Sequence, residues 1–98
     1  MIANFDLVTN FVECNINGIS NAKMHNGSMH FVNSILYSYY TAIGQYNKKD
    51  GTFIVNMTKY SQTTSKQRNL LIKALKERKI NYTEVDKVKM GTTNLIKN

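Results

Sequence analysis

A chain of 98 residues has room for one small domain, residues 1–98, and no second. With 42% hydrophobic and 19% charged residues and no proline, it is neither collagen-like nor proline-rich, and it is too apolar for full disorder. Thirteen Lys and Arg against six Asp and Glu give a net charge of +7, and all but one of those cations lie in residues 48–98. A field of that sign favours polyanions: nucleic acid, a nucleoprotein, or an acidic membrane surface.

Cys14 is the single cysteine, so no intramolecular disulfide forms, and a reducing compartment fits. No apolar run reaches the roughly 18 residues that span a bilayer. The N-terminus has no basic segment followed by an apolar stretch. The expectation is therefore a cytoplasmic protein with no membrane partner. Asn, Lys, Ile, Tyr and Phe, all read from A/T-rich codons, are abundant, which points to a low-GC bacterium or its phage.

Residues 1–20 admit two readings. Phe5, Val8, Phe11 and Val12 suit a short amphipathic helix capped by Asn4, with Gly18 beyond its end. Phe5, Leu7, Val12, Ile16 and Ile19 suit strands instead; the helix is preferred. Asn26-Gly27 predicts a two-residue type I′ hairpin in which Met24 faces Met29 and His25 faces Ser28. Asn33-Ser34 marks a second reversal. Ile35 to Tyr46 reads as one long strand, followed by a turn over 47–51 with Gly51 in a left-handed position and a partner strand over Thr52–Thr58. The Thr64-Ser65-Lys66-Gln67 run has capping-box form and opens a helix over Ser65–Lys79 with a stripe of Leu70, Leu71, Ala74 and Leu75. Ile80–Val88 is a final strand, and 89–98 is a loose tail. The sum is an α+β fold: an antiparallel sheet of four to five strands with one main amphipathic helix on one face.

Two groups of residues carry the expected chemistry. Lys59, Tyr60, Ser61, Thr63, Thr64, Ser65, Lys66 and Arg68 crowd the start of the main helix, where free amides and hydroxyls attract phosphate. Lys66, Lys73 and Lys76 share the helix side opposite the apolar stripe and extend that charge. The tyrosine group of Tyr37, Tyr39, Tyr40, Tyr46 and Tyr60, with Tyr40 and Tyr46 the expected exposed pair, can stack bases. The bland alternatives are a capped helix with a solvated lysine face and tyrosines that pack on the helix. His25 and His30 share a face with Lys23. They can act as an acid–base pair, but the sequence places no third metal ligand beside them. Nucleotide-binding glycine loops, a nucleophile elbow and paired carboxylates are all missing, so neither a cofactor nor a metal is expected.

The run Tyr37-Ser38-Tyr39-Tyr40-Thr41-Ala42-Ile43-Gly44, followed by Lys59-Tyr60-Ser61-Gln62-Thr63-Thr64-Ser65-Lys66-Gln67, resembles a group of small uncharacterised bacteriophage proteins. Their pattern is roughly SYxTxIA, a turn, a strand, and KYSxTTSKH. Here Gly44 stands where alanine is common and Gln67 where histidine is common. The resemblance covers about 40% of the chain. It implies a phage or prophage origin and, by analogy of size and context, a role in blocking host defence, as inhibitors of CRISPR effectors do. The reading is a non-enzymatic accessory protein that binds nucleic acid or a nucleic-acid-bound host complex. The alternatives are a small metal-independent nuclease using His25 and His30, or a self-associating assembly protein.

Overall fold

The computed structural model describes residues 3–19 and 21–96. Its elements run α1 (Asn4–Ile16), β1 (Lys23–Asn26), β2 (Met29–Val32), β3 (Ile35–Ser38), β4 (Thr41–Asn47), β5 (Thr52–Asn56), α2 (Gln62–Glu77) and β6 (Tyr82–Val85). The strands form one mixed sheet in chain order. β1 to β5 are an antiparallel meander, and β6 runs parallel to β5. The fold is α+β, and the described residues form six strands in a mixed sheet and two helices, where four to five antiparallel strands, one main helix and a short N-terminal helix were expected. The parallel pair follows from α2: a helical crossover carries the chain back to the end of the sheet at which β5 began.

Asn4–Ile16 is helical. Leu7, Val8, Phe11, Val12 and Asn15 are buried at helical spacing, which no strand reading explains. Asn4 does not cap α1. The cap position is Ala3, without a side-chain bond, and Asn4 Oδ1 instead accepts from Asn26 Nδ2 at 2.7 Å, tying the helix to the first hairpin.

From β1 through β3 the meander repeats four strand residues and two turn residues. The turns are Gly27-Ser28, Asn33-Ser34 and Tyr39-Tyr40, and the first residue of each has positive φ: +60°, +54° and +55°. Positive φ at the first turn residue alone is the type II′ pattern, whose twist suits a hairpin. The first turn therefore falls one residue later than a type I′ Asn26-Gly27 turn, and His25 faces His30 directly. The expected single strand Ile35–Tyr46 is two strands, because the chain reverses at Tyr39-Tyr40. A bulge between Leu36 and Tyr37 leaves Ile43 as the extra residue of β4. There Ala42 N donates to Thr92 O at 2.8 Å and Ala42 O accepts from Asn56 Nδ2 at 3.0 Å.

Both helices cover one face of the sheet. Leu7, Val8, Phe11 and Val12 of α1 and Leu71, Ala74 and Leu75 of α2 pack on Met29, Phe31, Leu36, Ile43, Phe53 and Val55. Phe11 sits edge-on to Phe31 and Phe53, with centroids 5.6 and 5.9 Å away. An Arg78–Glu13 ion pair at 2.8 Å closes the helix pair at the surface.

The segment expected to be a loose tail is packed over its described part, residues 89–96. Leu95 is buried against Ala42 and Ile54 on the other face of the sheet. Gln45 holds it in place: its Oε1 accepts from Leu95 N at 2.6 Å and its Nε2 donates to Asn94 Oδ1 at 3.0 Å. Residues 97 and 98 lie outside the described residues.

Candidate binding surface at the head of α2

Ser61, not Thr64, caps α2. Its Oγ accepts from Thr64 N at 3.2 Å, and the helix starts three residues before the expected position. Thr64 is turned inward instead. Its Oγ1 lies 2.9 Å from Ser38 Oγ and 3.2 Å from Ser61 Oγ, so one buried hydroxyl joins the end of β3 to the helix cap. One turn on, Gln67 Nε2 donates to Ser28 Oγ at 2.8 Å, and Gln67 Oε1 is buried without a partner among the described residues.

Two depressions meet at this point. The first is an apolar cavity of about 450 Å³ lined by the Tyr39-Tyr40 turn with its flanking Ser38 and Thr41, by Tyr60, Ser61 and Thr64, and by Met90 and Gly91. Tyr39, Tyr40 and Met90 are 54%, 84% and 70% exposed, which gives the cavity an apolar exposed rim. Tyr60 is fixed in its wall: its hydroxyl donates to Val88 O and accepts from Asn56 Nδ2. The second is an open cleft of about 720 Å³ lined by Lys59, Tyr60, Ser61, Gln62, Ser65, Lys66, Arg68 and Asn69. The two share Tyr60 and Ser61, so aromatic and basic ground are continuous.

The electrostatics of the cleft are unusual for a helix start. The first turn of α2 has no acidic residue. Arg78–Glu13 is the one side-chain ion pair among the described residues, so Lys59, Lys66 and Arg68 have no carboxylate partner. Arg68 is steadied by Met57 O at 3.3 Å and Asn69 Oδ1 at 3.2 Å. Helix N-termini are stabilised by anions and destabilised by cations. Three unpaired cations around this one leave a positive potential that a bound phosphate would relieve.

The structure brings together Lys59, Tyr60, Ser65, Lys66 and Arg68 in the cleft, and Tyr40 beside it. Thr63 is exposed on the first turn of α2 and lines neither depression. Three expected residues lie elsewhere. Lys73 Nζ sits 5.1 Å from the centroid of the Phe5 ring, in a cation–π contact with α1. Lys76 is exposed in the last turn of α2, where its charge suits the helix dipole. Tyr46 packs on Phe53, with centroids 4.7 Å apart, and is half-buried. The basic helix side thus divides, and only its N-terminal third belongs to the surface. Sequence reasoning placed Ser61 in the helix-start cluster and Tyr39 in the tyrosine group, but it missed Ser38 and Met90. Only the positive φ of Tyr39 singles out that turn, and no sequence rule signals a tyrosine there.

His25 and His30 form a separate cluster on the sheet face opposite the helices. His30 stacks on Tyr37 with centroids 4.8 Å apart and planes 15° from parallel. Burial, and secondarily the charge of His25, hold the His30 imidazole below its ordinary pKa of 6.5. No group of three or more His, Cys, Asp or Glu side chains converges among the described residues. No helix among them is long and apolar enough to cross a membrane.

Residues 5–88 match the model of a family of unknown function (DUF8033), and the chain belongs to that family. No curated protein and no solved structure matches it significantly.

Proposed function

We propose that the protein is a non-enzymatic binding module that holds single-stranded nucleic acid, free or within a host nucleoprotein complex, at the head of α2. The observation that carries this reading is the junction of the unpaired Lys59, Lys66 and Arg68 cleft with an exposed tyrosine rim through shared wall residues. Non-specific single-strand binders combine these two elements: charge to track the backbone and aromatic faces on which bases stack. Double-stranded ligands fit less well, because a stacked duplex hides its base faces from Tyr39 and Tyr40.

The likeness of the 37–44 and 59–67 strings to small bacteriophage proteins supports placing this activity in the cytoplasm of a bacterial host. There it would serve phage takeover or the blocking of a nucleic-acid-guided defence complex. Both strings contribute to the proposed surface, Ser38–Thr41 with Tyr60, Ser61 and Thr64 forming most of the cavity wall.

The reading is tested by equilibrium binding of a short labelled single strand and of a duplex of the same sequence at low salt. Tighter binding of the single strand supports it. Failure to bind either would reassign the basic cleft to an acidic protein partner.

A further inference from the structure

The hydroxyls at the floor of the apolar cavity do not balance. Ser38, Thr64 and Ser61 supply three protons, and the two contacts among them, at 2.9 and 3.2 Å, use two. Ser61 Oγ also accepts from Thr64 N, which takes a lone pair and no proton. With Ser61 donating to Thr64, the remaining proton sits on Ser38 or on Thr64. These two are 2% and 5% exposed, both line the cavity, and neither has a further acceptor among the described residues. A buried donor without an acceptor is costly, and an acceptor entering the cavity removes that cost.

We infer that this cavity receives one unstacked nucleobase of the bound strand. The inference rests on the single-strand reading above and assigns its specificity element. The cavity is of the size that holds small planar ligands. Tyr40 stands free at the rim to stack on a base, and the apolar walls exclude water from its faces. The leftover hydroxyl proton meets a ring carbonyl or ring nitrogen, an acceptor that every base carries. The adjoining cleft, across Tyr60 and Ser61, places Lys59, Lys66 and Arg68 where the flanking phosphates run. The φ of +55° at Tyr39 belongs to the same device. A bulky residue in the left-handed region is strained, and such strain persists where it positions a functional group.

The test compares a labelled oligothymidylate with an abasic chain of equal length and charge at the same low salt. The parent should bind the oligothymidylate roughly tenfold to a hundredfold more tightly. Tyr40→Ala, at a site 84% exposed and remote from the core, should bring that ratio close to one. Binding of the abasic chain and its salt dependence should stay unchanged. Thymidine monophosphate should compete only weakly, because it offers a single phosphate to the cleft. Equal, salt-dependent binding of both chains by the parent would overturn the base site and leave the phosphate-binding reading standing. So would a preference that survives Tyr40→Ala. Competition by the monophosphate at the strand's own affinity would overturn the strand as ligand in favour of a free nucleotide. Binding of neither chain would overturn both readings.

Discussion

Gly44 lies directly beneath Leu71: a Cβ built on Gly44 would stand 2.4 Å from Leu71 Cδ2. The α2 helix rests on β4 at this point, and Leu71 is fully buried there. The glycine sets the approach of helix to sheet here, because any Cβ would collide with Leu71. Gly44→Ala should destabilise the fold by about 1–3 kcal/mol, since Leu71 must leave its packed rotamer. Leu71→Ala alone should cost about 2–5 kcal/mol. In the Leu71→Ala background the added methyl should cost little, and urea midpoints of the four proteins in the cycle would show that coupling. Additive costs would mean that the two residues do not meet.

Tyr39 takes the turn position that Gly27 and Asn33 take in the two preceding hairpins. Asparagine tolerates positive φ far better than tyrosine. Tyr39→Asn should therefore raise stability by about 0.5–1 kcal/mol, read as a higher melting temperature. The same change should weaken single-strand binding. A variant less stable than the parent would show that Tyr39 is held by packing rather than strained.

Ser61→Ala should cost about 1 kcal/mol through the lost helix cap. Thr64→Val should cost a similar amount or more by a different route. It keeps the helix start but leaves the Ser38 hydroxyl buried without its partner. Amide exchange separates the two: Ser61→Ala frays the first turn of α2, whereas Thr64→Val loosens the Tyr39-Tyr40 turn.

His30 makes stability depend on pH. The unfolded chain takes up its proton near 6.5 and the folded chain only at lower pH. Between those values the unfolded state binds more protons, so stability falls as pH drops through that window. It is fully present above 6.5, and below the folded value this group removes no more. His30→Gln should flatten urea midpoints measured between pH 7.5 and 5.5. In an NMR titration, His25→Asn should return His30 only partly toward its ordinary value, because burial is the larger cause.

Periodic elements were legible in the sequence, and their junctions were not. The α2 stripe of Leu71, Ala74 and Leu75 is buried as its spacing predicts. The cap was misplaced because Thr64-Ser65-Lys66-Gln67 and Ser61-Gln62-Thr63-Thr64 both offer a hydroxyl three residues before a polar side chain. Only tertiary contact with Ser38 turns Thr64 inward. The reversal at Tyr39-Tyr40 was hidden because neither residue belongs to turn chemistry and alternation runs through it. Leu95 gave no sign of burial, since its partners Ala42, Ile54 and Gln45 are all more than 40 residues away. For the surface, charge and helix start located Lys59, Lys66 and Arg68. Helical spacing alone placed Lys73 and Lys76 with them, and it carries no information about Phe5 on the neighbouring helix.

The most direct measurement of the central claim is the slope of log K against log salt for a short single strand, in the parent and in Lys59→Gln with Lys66→Gln. Each phosphate neutralised on a single strand adds about 0.7 to the steepness of that slope. The double variant should flatten it by roughly 1.4 units. Its melting temperature should stay close to the parent's, because both lysines are exposed and make no ion pair among the described residues. Lys73→Gln with Lys76→Gln, at the other end of the helix, should leave the slope unchanged. A slope indifferent to Lys59 and Lys66, or one that Lys73 and Lys76 control instead, would contradict a phosphate-binding cleft at the head of α2.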